Sequence, residues 1–585
     1  MKTLASLFID AAKVEKLQVF FKGLDTTNSF SYSQLYQDAQ KVAFGLRENG
    51  VIDGEIITLM YPTGPDFYRS FFGVLLAGAV PCALYPPARL GKLDQWKKMI
   101  QGQNIAVESK LMLVDGKLYG MAKNIGLSNI NIKTISQLSE SEGKYDQHQR
   151  SKDALAFVQF SSGTTSFPKA VMISNENIHE NISAILKAFP EFNEKRRAAC
   201  VSWLPLYHDM GLVGCLIGTL AVKGELTLIR PEHFLARPIL WLEALSETKA
   251  PISVAPNFAF GLCCKKIDTS KVGELDLSHW EMALCGAEAV SPKVLQNFSK
   301  KFSKYGFSSK ALTPVYGMSE TTLAATFSPL HSSPRYQRFD KKALEYDQRA
   351  IAVEEGGIFL ACLGSPLDKV SLTICNQNGT LLEDSHVGRV YIKGPSVMKG
   401  YFGQKDKTLE VLKDGIFFTG DLGFLYKDEL YLCGREKDVL IINGRNYDPS
   451  LIENSLLDMK YLRSGCLAIV SHSFLNENTE ELVVFSEVSN EKIFKKIKKD
   501  KGFEESIKKN IFNSILAENK LKVSLCVLLR PSVLPRTSSG KIRRRESLRT
   551  YLNGDLVKFQ KKTGPFWDFL IFLKETILGL LKSKL

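Results

Sequence analysis

The stretch Phe160-Ser-Ser-Gly-Thr-Thr-Ser-Phe-Pro-Lys169 sets hydroxyls at Ser161, Ser162, Thr164, Thr165 and Ser166 around Gly163 and closes on the cation of Lys169. Apolar runs flank it on both sides, Ala154–Phe160 and Val171–Ile173, so the expected local form is strand–loop–strand. Hydroxyls and free backbone N–H groups on such a loop can converge on phosphate oxygens. The spacing is not that of a Walker A loop. On its own, the stretch serves equally well as an ordinary polar turn.

Four further clusters bear on that choice. Ser202-Trp-Leu-Pro-Leu-Tyr-His-Asp-Met-Gly211 sets His208 in apolar surroundings beside Asp209, where an imidazole can orient a carboxylate or cap a loop. Leu284-Cys-Gly-Ala-Glu288 reads as a strand entering a Gly286-Ala287 turn that lets a flat ligand approach the backbone. Pro314-Val-Tyr-Gly-Met-Ser-Glu-Thr321 combines the ring of Tyr316, which can stack on a base, with Gly317, the hydroxyl of Ser319 and the carboxylate of Glu320, which can hold Mg²⁺. Phe418-Thr-Gly-Asp421, with Gly434-Arg435 shortly after, offers a carboxylate suited to accept from two ribose hydroxyls. Near the C-terminal end, Leu534-Pro-Arg-Thr-Ser-Ser-Gly-Lys-Ile-Arg-Arg-Arg545 puts Lys541 after a Ser-Ser-Gly segment, from which its ammonium can reach charge developing on a phosphate or carboxylate.

The elements that must carry these groups are those of an α/β protein. Short apolar runs such as Glu55–Met60, Ser253–Ala255 and Met282–Cys285 alternate with amphipathic stretches over most of the first 430 residues. From about 358 to 433 the pattern turns β-rich, with Val370–Cys375, Val387–Lys393 and Glu429–Cys433 punctuated by Asn378-Gly379. Beyond Lys437 comes a smaller α+β segment, with strands expected at Ala468–Val470, Leu482–Phe485 and Val523–Leu529. The domain boundary is placed at Lys437, giving domains 1–436 and 437–585.

At 585 residues the chain is too long for one core, and 24% charged residues mark a globular protein. Its eleven cysteines form no Cys-x-x-Cys pair, so zinc and disulfide frameworks lack support and a cytoplasmic, reducing location is expected. The net charge of +14 is concentrated from Lys437 onward, where 27 Lys and Arg face 17 Asp and Glu. That imbalance suits an acidic partner, a phosphate-bearing ligand or an anionic membrane surface. Nucleic acid is set aside, because no sequence-reading helix, aromatic repeat or zinc module accompanies the basic runs. In the tail 565–585, Phe566, Phe569, Leu570, Leu573, Ile577, Leu580 and Leu581 share one helical face with lysines nearby. Such a face either packs on its own protein, the commoner case, or makes peripheral contact with a membrane.

Taken in order, the hydroxyl loop, Tyr-His-Asp-x-Gly, Gly-Ala-Glu, Tyr-Gly-Met-x-Glu, Thr-Gly-Asp, Gly-Arg-x-Lys-Asp and Ser-Ser-Gly-Lys resemble the adenylate-forming superfamily of acyl-CoA synthetases, adenylation domains and luciferases. Trp203-Leu-Pro-Leu-Tyr-His-Asp-Met-Gly211 and Val439-Leu-Ile-Ile-Asn-Gly-Arg-Asn446 are most similar to the fatty acyl-AMP ligases within it. The resemblance implies a large α/β domain of packed subdomains plus a β-rich subdomain, and a small mobile α+β domain. It implies ATP and Mg²⁺ as cofactors and activation of a fatty acid to an acyl-adenylate with release of pyrophosphate. The acyl group would then pass to the phosphopantetheine of an acyl carrier protein, free or as a carrier domain of a polyketide or peptide synthase. Acyl-CoA synthesis and a catalytically silent nucleotide-binding regulator are the alternatives.

Residue by residue, the resemblance gives Ser161, Ser162, Gly163, Thr164, Thr165 and Lys169 to the ATP phosphates. Gly286, Ala287, Glu288 and Tyr316 go to the adenine, Gly317 to the nucleotide, Ser319 to the α-phosphate, Glu320 to Mg²⁺, and Asp421 and Arg435 to the ribose. His208 would lie beside the reacting carboxylate, Lys541 would bridge it to the α-phosphate, and Lys437 would be the hinge. Ser166 and Ala170 stand where the family usually has glycine. A surplus around His331–Gly357 matches an insertion that in fatty acyl-AMP ligases braces the two domains against each other.

Overall fold

Ile56–Met60 and Met282–Gly286 are buried along their whole length, as strands covered by helices on both faces must be. Each runs parallel to its neighbours: Ile56–Met60 to Val80–Ala83 and Leu111–Val114, and Met282–Gly286 to Ile252–Pro256 and Leu312–Gly317. The computed structural model describes residues 2–87, 93–127, 129–138, 143, 145, 150–161, 168–192, 197–442, 445–456, 459–472, 480–537 and 541–556.

Among the described residues, one seven-stranded sheet runs from Gly400–Tyr401 through Ala170–Ser174 and Leu155–Phe160 to Asn131–Lys133, and a nine-stranded sheet runs from Ser365–Pro366 to Thr27–Ser31. Helices join the parallel strands, and the strand ends cap them. Ser174, the last residue of its strand, accepts from Asn177 N and opens the helix Asn175–Ala188, while Asn177 accepts in return from Ser174 N at 3.0 Å. That reciprocal cap satisfies backbone groups that a helix start leaves orphaned. A smaller antiparallel sheet holds Ser371–Cys375, Gly388–Lys393, Ile416–Tyr426 and Glu429–Arg435, the β-rich region expected from the sequence. The alternating runs at 55–60, 253–255 and 282–285 fall on strands to within a residue.

Beyond the hairpin Leu440–Ile442 and Arg445–Tyr447, Leu462–His472, Glu481–Val488 and Val523–Leu529 form a three-stranded sheet. The helices Glu491–Lys499 and Lys501–Asn519 pack on it around Ile497, Ile507, Ile511 and Ile515. In Glu491–Lys499 the apolar Phe494 and Ile497 point inward, and Lys492, Lys495, Lys496, Lys498 and Lys499 form its solvent face. Its N-cap is Asn490, which accepts from Ile493 N. The segment 331–357 makes a strand pair of its own, Tyr336–Phe339 with Ala352–Val353, extended by Ile358–Ala361. The amphipathic tail 565–585 lies outside the described residues. Among those residues, no helix is long and apolar enough to cross a membrane.

Candidate active site

Antiparallel pairing builds the first part of the site. Ile416–Tyr426 and Glu429–Arg435 are registered so that Asp421 faces Arg435 directly. Arg435 Nε donates to Asp421 Oδ1 at 2.9 Å, and Tyr316, arriving at the end of Leu312–Gly317, donates its hydroxyl to Asp421 Oδ2 at 2.6 Å. Both oxygens of this carboxylate, 4% exposed, are thus engaged. Cross-strand neighbours reinforce one another in this way. Burial, with the Asp421 carboxylate beside it, pushes the Tyr316 phenol well up, so it stays a donor.

Glu320 and Lys169 meet through a residue the sequence reading passed over. Tyr401 donates its hydroxyl to Glu320 Oε1 at 3.0 Å, and the Lys169 ammonium lies 4.8 Å from the centre of the same ring. Burial draws the Lys169 ammonium below the usual lysine range, against the pull of Glu320. Gly400–Tyr401 pairs with Ala170–Ser174 as the edge strand of its sheet, which locks the ring against the base of the hydroxyl loop. Ser161 N donates to Lys169 O at 3.0 Å and closes the mouth of that loop. Ser162, Gly163, Thr164 and Thr165 lie outside the described residues, as does Ser166. A two-residue edge strand has no period to detect, so no local signal marks Tyr401.

A third group surrounds Ser319, whose hydroxyl donates to Asp209 Oδ2 at 2.8 Å. Asp209 also accepts from Met210 N at the start of the π-helical stretch Met210–Ile217, a wide helical form that recurs at functional sites. His208 packs edge-on against Tyr207, with 5.0 Å between ring centres. Gly317 lines this region and Gly286 borders it, both where the protein's own packing is close. A Cβ at Gly286 would sit 2.8 Å from Val315 Cγ2, and one at Gly317 1.8 Å from Leu323 O, so packing within the protein demands both glycines. The expected Gly286-Ala287 turn has its positive φ at Ala287, 66°. Glu288 accepts from Phe258 N at 2.6 Å, and burial raises its carboxyl.

Lys541 enters this assembly from the small domain. All the groups above that fall within the described residues, except Gly286, line one cavity of about 1440 Å³, together with Lys437 and Lys541. Burial, and then Arg435, hold the Lys541 ammonium below the usual lysine range, while Asp209, Glu288 and Asp421 pull the other way. A cation facing three carboxylates and a guanidinium in a shielded cleft suits the stabilisation of charge that builds up during group transfer. Ile182, Ile185 and Leu186 of the helix Asn175–Ala188, with Phe189 just past its end, Val222 and Phe327, line the same cavity with apolar surface. An apolar branch beside a charged centre can take an amphiphile with its polar head at Lys541. Among the described residues no three His, Cys, Asp or Glu side chains gather to hold a metal. A cation at Glu320 would therefore take its other oxygens from a ligand's phosphates and water, which Mg²⁺ readily does.

The model of the family described as "AMP-binding enzyme" matches residues 9–402. A Caulobacter vibrioides protein with the provisional name acyl-CoA synthetase is 31% identical, with 91% of each chain covered. JamA of Moorena producens, named a medium-chain-fatty-acid–[acyl-carrier-protein] ligase, is 30% identical over 93% of this chain and 94% of its own. A solved structure from a study of fatty acyl-adenylate ligases from E. coli and L. pneumophila superposes with a TM-score of 0.87 at 28% identity, covering 95% of this chain and 98% of that one. With two thirds of its length matched by the family model and its whole fold shared with an adenylate-forming ligase, the chain belongs to the AMP-binding enzyme family.

Proposed function

We propose that the protein activates a fatty acid with ATP and passes the acyl group to the phosphopantetheine of an acyl carrier protein. What supports the first half most is Lys541, carried by the small domain into a cavity that also holds Tyr316, Asp421, Ser319 and Glu320 and opens onto an apolar branch. A fatty carboxylate oxygen attacks the α-phosphorus of ATP, an O–P bond forms, and the bond to pyrophosphate breaks. The Lys541 ammonium meets the negative charge of both reactants, which would otherwise repel. Tyr316, Asp421 and Arg435 hold the nucleoside, Ser319 the α-phosphate, Lys169 the outer phosphates, and His208 the carboxylate side. Domains 1–436 and 437–585 would move about Lys437 between the two half-reactions. Glu320 would hold Mg²⁺, which would supply charge neutralisation to the pyrophosphate.

Tyr401 bears on that last role. Hydrogen bonds to charged groups contribute about 1.5–3 kcal/mol, so Tyr401→Phe should release Glu320 and raise the Mg²⁺ needed for half-maximal pyrophosphate release roughly tenfold. An unchanged Mg²⁺ titration would separate Tyr401 from the metal carboxylate.

Carrier protein is favoured over coenzyme A because the inserted segment ties the domains together. Lys341 donates to Glu518 O and Asn519 Oδ1, both at 3.2 Å, at the end of the helix Lys501–Asn519. Ala343–Asp347 packs on the hairpin strand Arg445–Tyr447. Such ties oppose the rotation that coenzyme A use requires. The basic small domain also complements an acidic carrier. Acyl-CoA synthesis stays the second reading, on the strength of the name borne by the Caulobacter relative.

The deciding experiment supplies ATP, Mg²⁺ and a series of fatty acids, measures acyl-AMP by mass spectrometry, then adds coenzyme A or a phosphopantetheinylated carrier. Carrier thioester without acyl-CoA is the expected result, and abundant acyl-CoA would overturn it. Lys341→Ala removes a tie of about 1 kcal/mol. It should raise acyl-CoA formation by no more than about fivefold, read in the same assay.

A further inference from the structure

Glu487 sets a carboxyl group in the interior of the small domain, and the nucleotide site makes no use of it. It lies on Glu481–Val488, paired with Leu529 of the neighbouring strand, and is 0% exposed. One oxygen, Oε1, accepts from Leu534 N at 2.9 Å. The other, Oε2, lies 3.0 Å from Arg463 Nη1 and 3.9 Å from Arg536 Nη2. Arg463 in turn donates to Ser532 Oγ at 2.9 Å and sits where the register of Leu462–His472 breaks.

An ion pair of this kind, with a buried carboxylate and an Arg463 side chain still 38% exposed, adds little stability. The partners of Glu487 indicate what it does instead. Leu534 and Arg536 begin the segment that ends in Lys541, and that segment closes on itself. Thr537 N donates to Lys541 O at 2.8 Å, Lys541 N to Thr537 Oγ1 at 3.0 Å, and Arg543 N to Pro535 O at 2.9 Å, around a bridge between Arg536 and Ile542. The result is a small hairpin with Lys541 on one arm and the Glu487 carboxylate under the other.

We propose that Glu487 is a positioning residue for Lys541: it pins the base of the lysine hairpin to the sheet so that the ammonium arrives in the cleft at a fixed height and angle. The proposal rests on the reading of Lys541 as the cation used in acyl-adenylate formation.

Glu487→Gln keeps an acceptor for Leu534 N but loses the charge that holds both arginines, whereas Glu487→Leu loses both. In the full chain, Glu487→Gln should lower kcat for pyrophosphate release about tenfold and leave the KM for ATP within twofold, because the nucleotide is held by the large domain. Hydrogen exchange should quicken at the amides of Leu534, Thr537, Lys541 and Arg543 and stay unchanged in the strands Met282–Gly286 and Leu312–Gly317. Glu487→Leu should fall further, and if it fails to fold, the glutamine variant with its exchange pattern suffices. Lys541→Ala is the reference arm. Parental turnover by Lys541→Ala would refute the reading of the lysine. Loss of turnover in Lys541→Ala with parental kcat and local exchange in Glu487→Gln would overturn the role of Glu487 alone. A rise in KM together with quickened exchange across the whole chain would reduce Glu487 to a fold-stabilising group and overturn it too.

Discussion

Lys541→Ala should slow acyl-adenylate formation by about 10²-fold or more, the scale of removing one preorganised electrostatic donor from a shielded site. Affinity for a non-hydrolysable ATP analogue should change by no more than about threefold, because the nucleotide contacts proposed here come from Lys169, Tyr316, Ser319 and Asp421 on other elements. Calorimetry for binding and a coupled assay for pyrophosphate release separate the two effects. The pH profile gives a second readout. The ammonium is the working form, and burial together with Arg435 draws its pKa below the ordinary value of 10.5. As pH rises through that lowered pKa the cation is lost, so kcat/KM should fall on a basic limb that begins earlier than an exposed lysine would give. Lys541→Arg keeps a charge at all accessible pH and should flatten that limb, although the planar guanidinium fits the cleft poorly. Parental pyrophosphate release by Lys541→Ala would end the proposed mechanism.

Asp421→Asn should do comparable damage by a different route. The substitution leaves Arg435 without the carboxylate that raises its pKa and takes a charged acceptor from the Tyr316 hydroxyl. Arg435 is half-exposed, which limits the loss on its side. The bond from Tyr316 is fully buried, and hydrogen bonds to charged groups fall in the range of about 1.5–3 kcal/mol. If the ribose hydroxyls use the same oxygens, as proposed, ATP affinity should drop by roughly 10²-fold with a lower melting temperature. A variant that melts earlier yet binds ATP normally would confine Asp421 to structure and remove it from the ribose site. Glu320→Gln offers a contrast, since its main defect should appear in the Mg²⁺ titration and not in ATP affinity.

The strands that flank the hydroxyl loop were legible because their signal is local. Two apolar runs, Leu155–Phe160 and Ala170–Ser174, bracket small polar residues, and the antiparallel pair they form is the simplest outcome of that pattern. Val523–Leu529 was legible for the same reason, as an apolar run with clear ends. The need for glycine at Gly286 was legible only in part, because the sequence does not show that Val315 occupies the space beside it. Asp209 and Tyr401 were passed over. Asp209 stood beside the more conspicuous His208, and Tyr401 sits on a strand of two residues.

The chain by itself determined the alternation of strands and helices, the order of the polar clusters and the excess of positive charge after Lys437, since periodicity, composition and sequence order are properties of neighbouring residues. Only the tertiary structure decided that Asp421 faces Arg435 and Tyr316, that Tyr401 joins Lys169 to Glu320, and that a carboxylate buried at Glu487 lies under the Lys541 hairpin. Those contacts depend on strand register and on the packing of one sheet against another. Both are fixed by burial summed over the whole core, and no short stretch of sequence contains that sum.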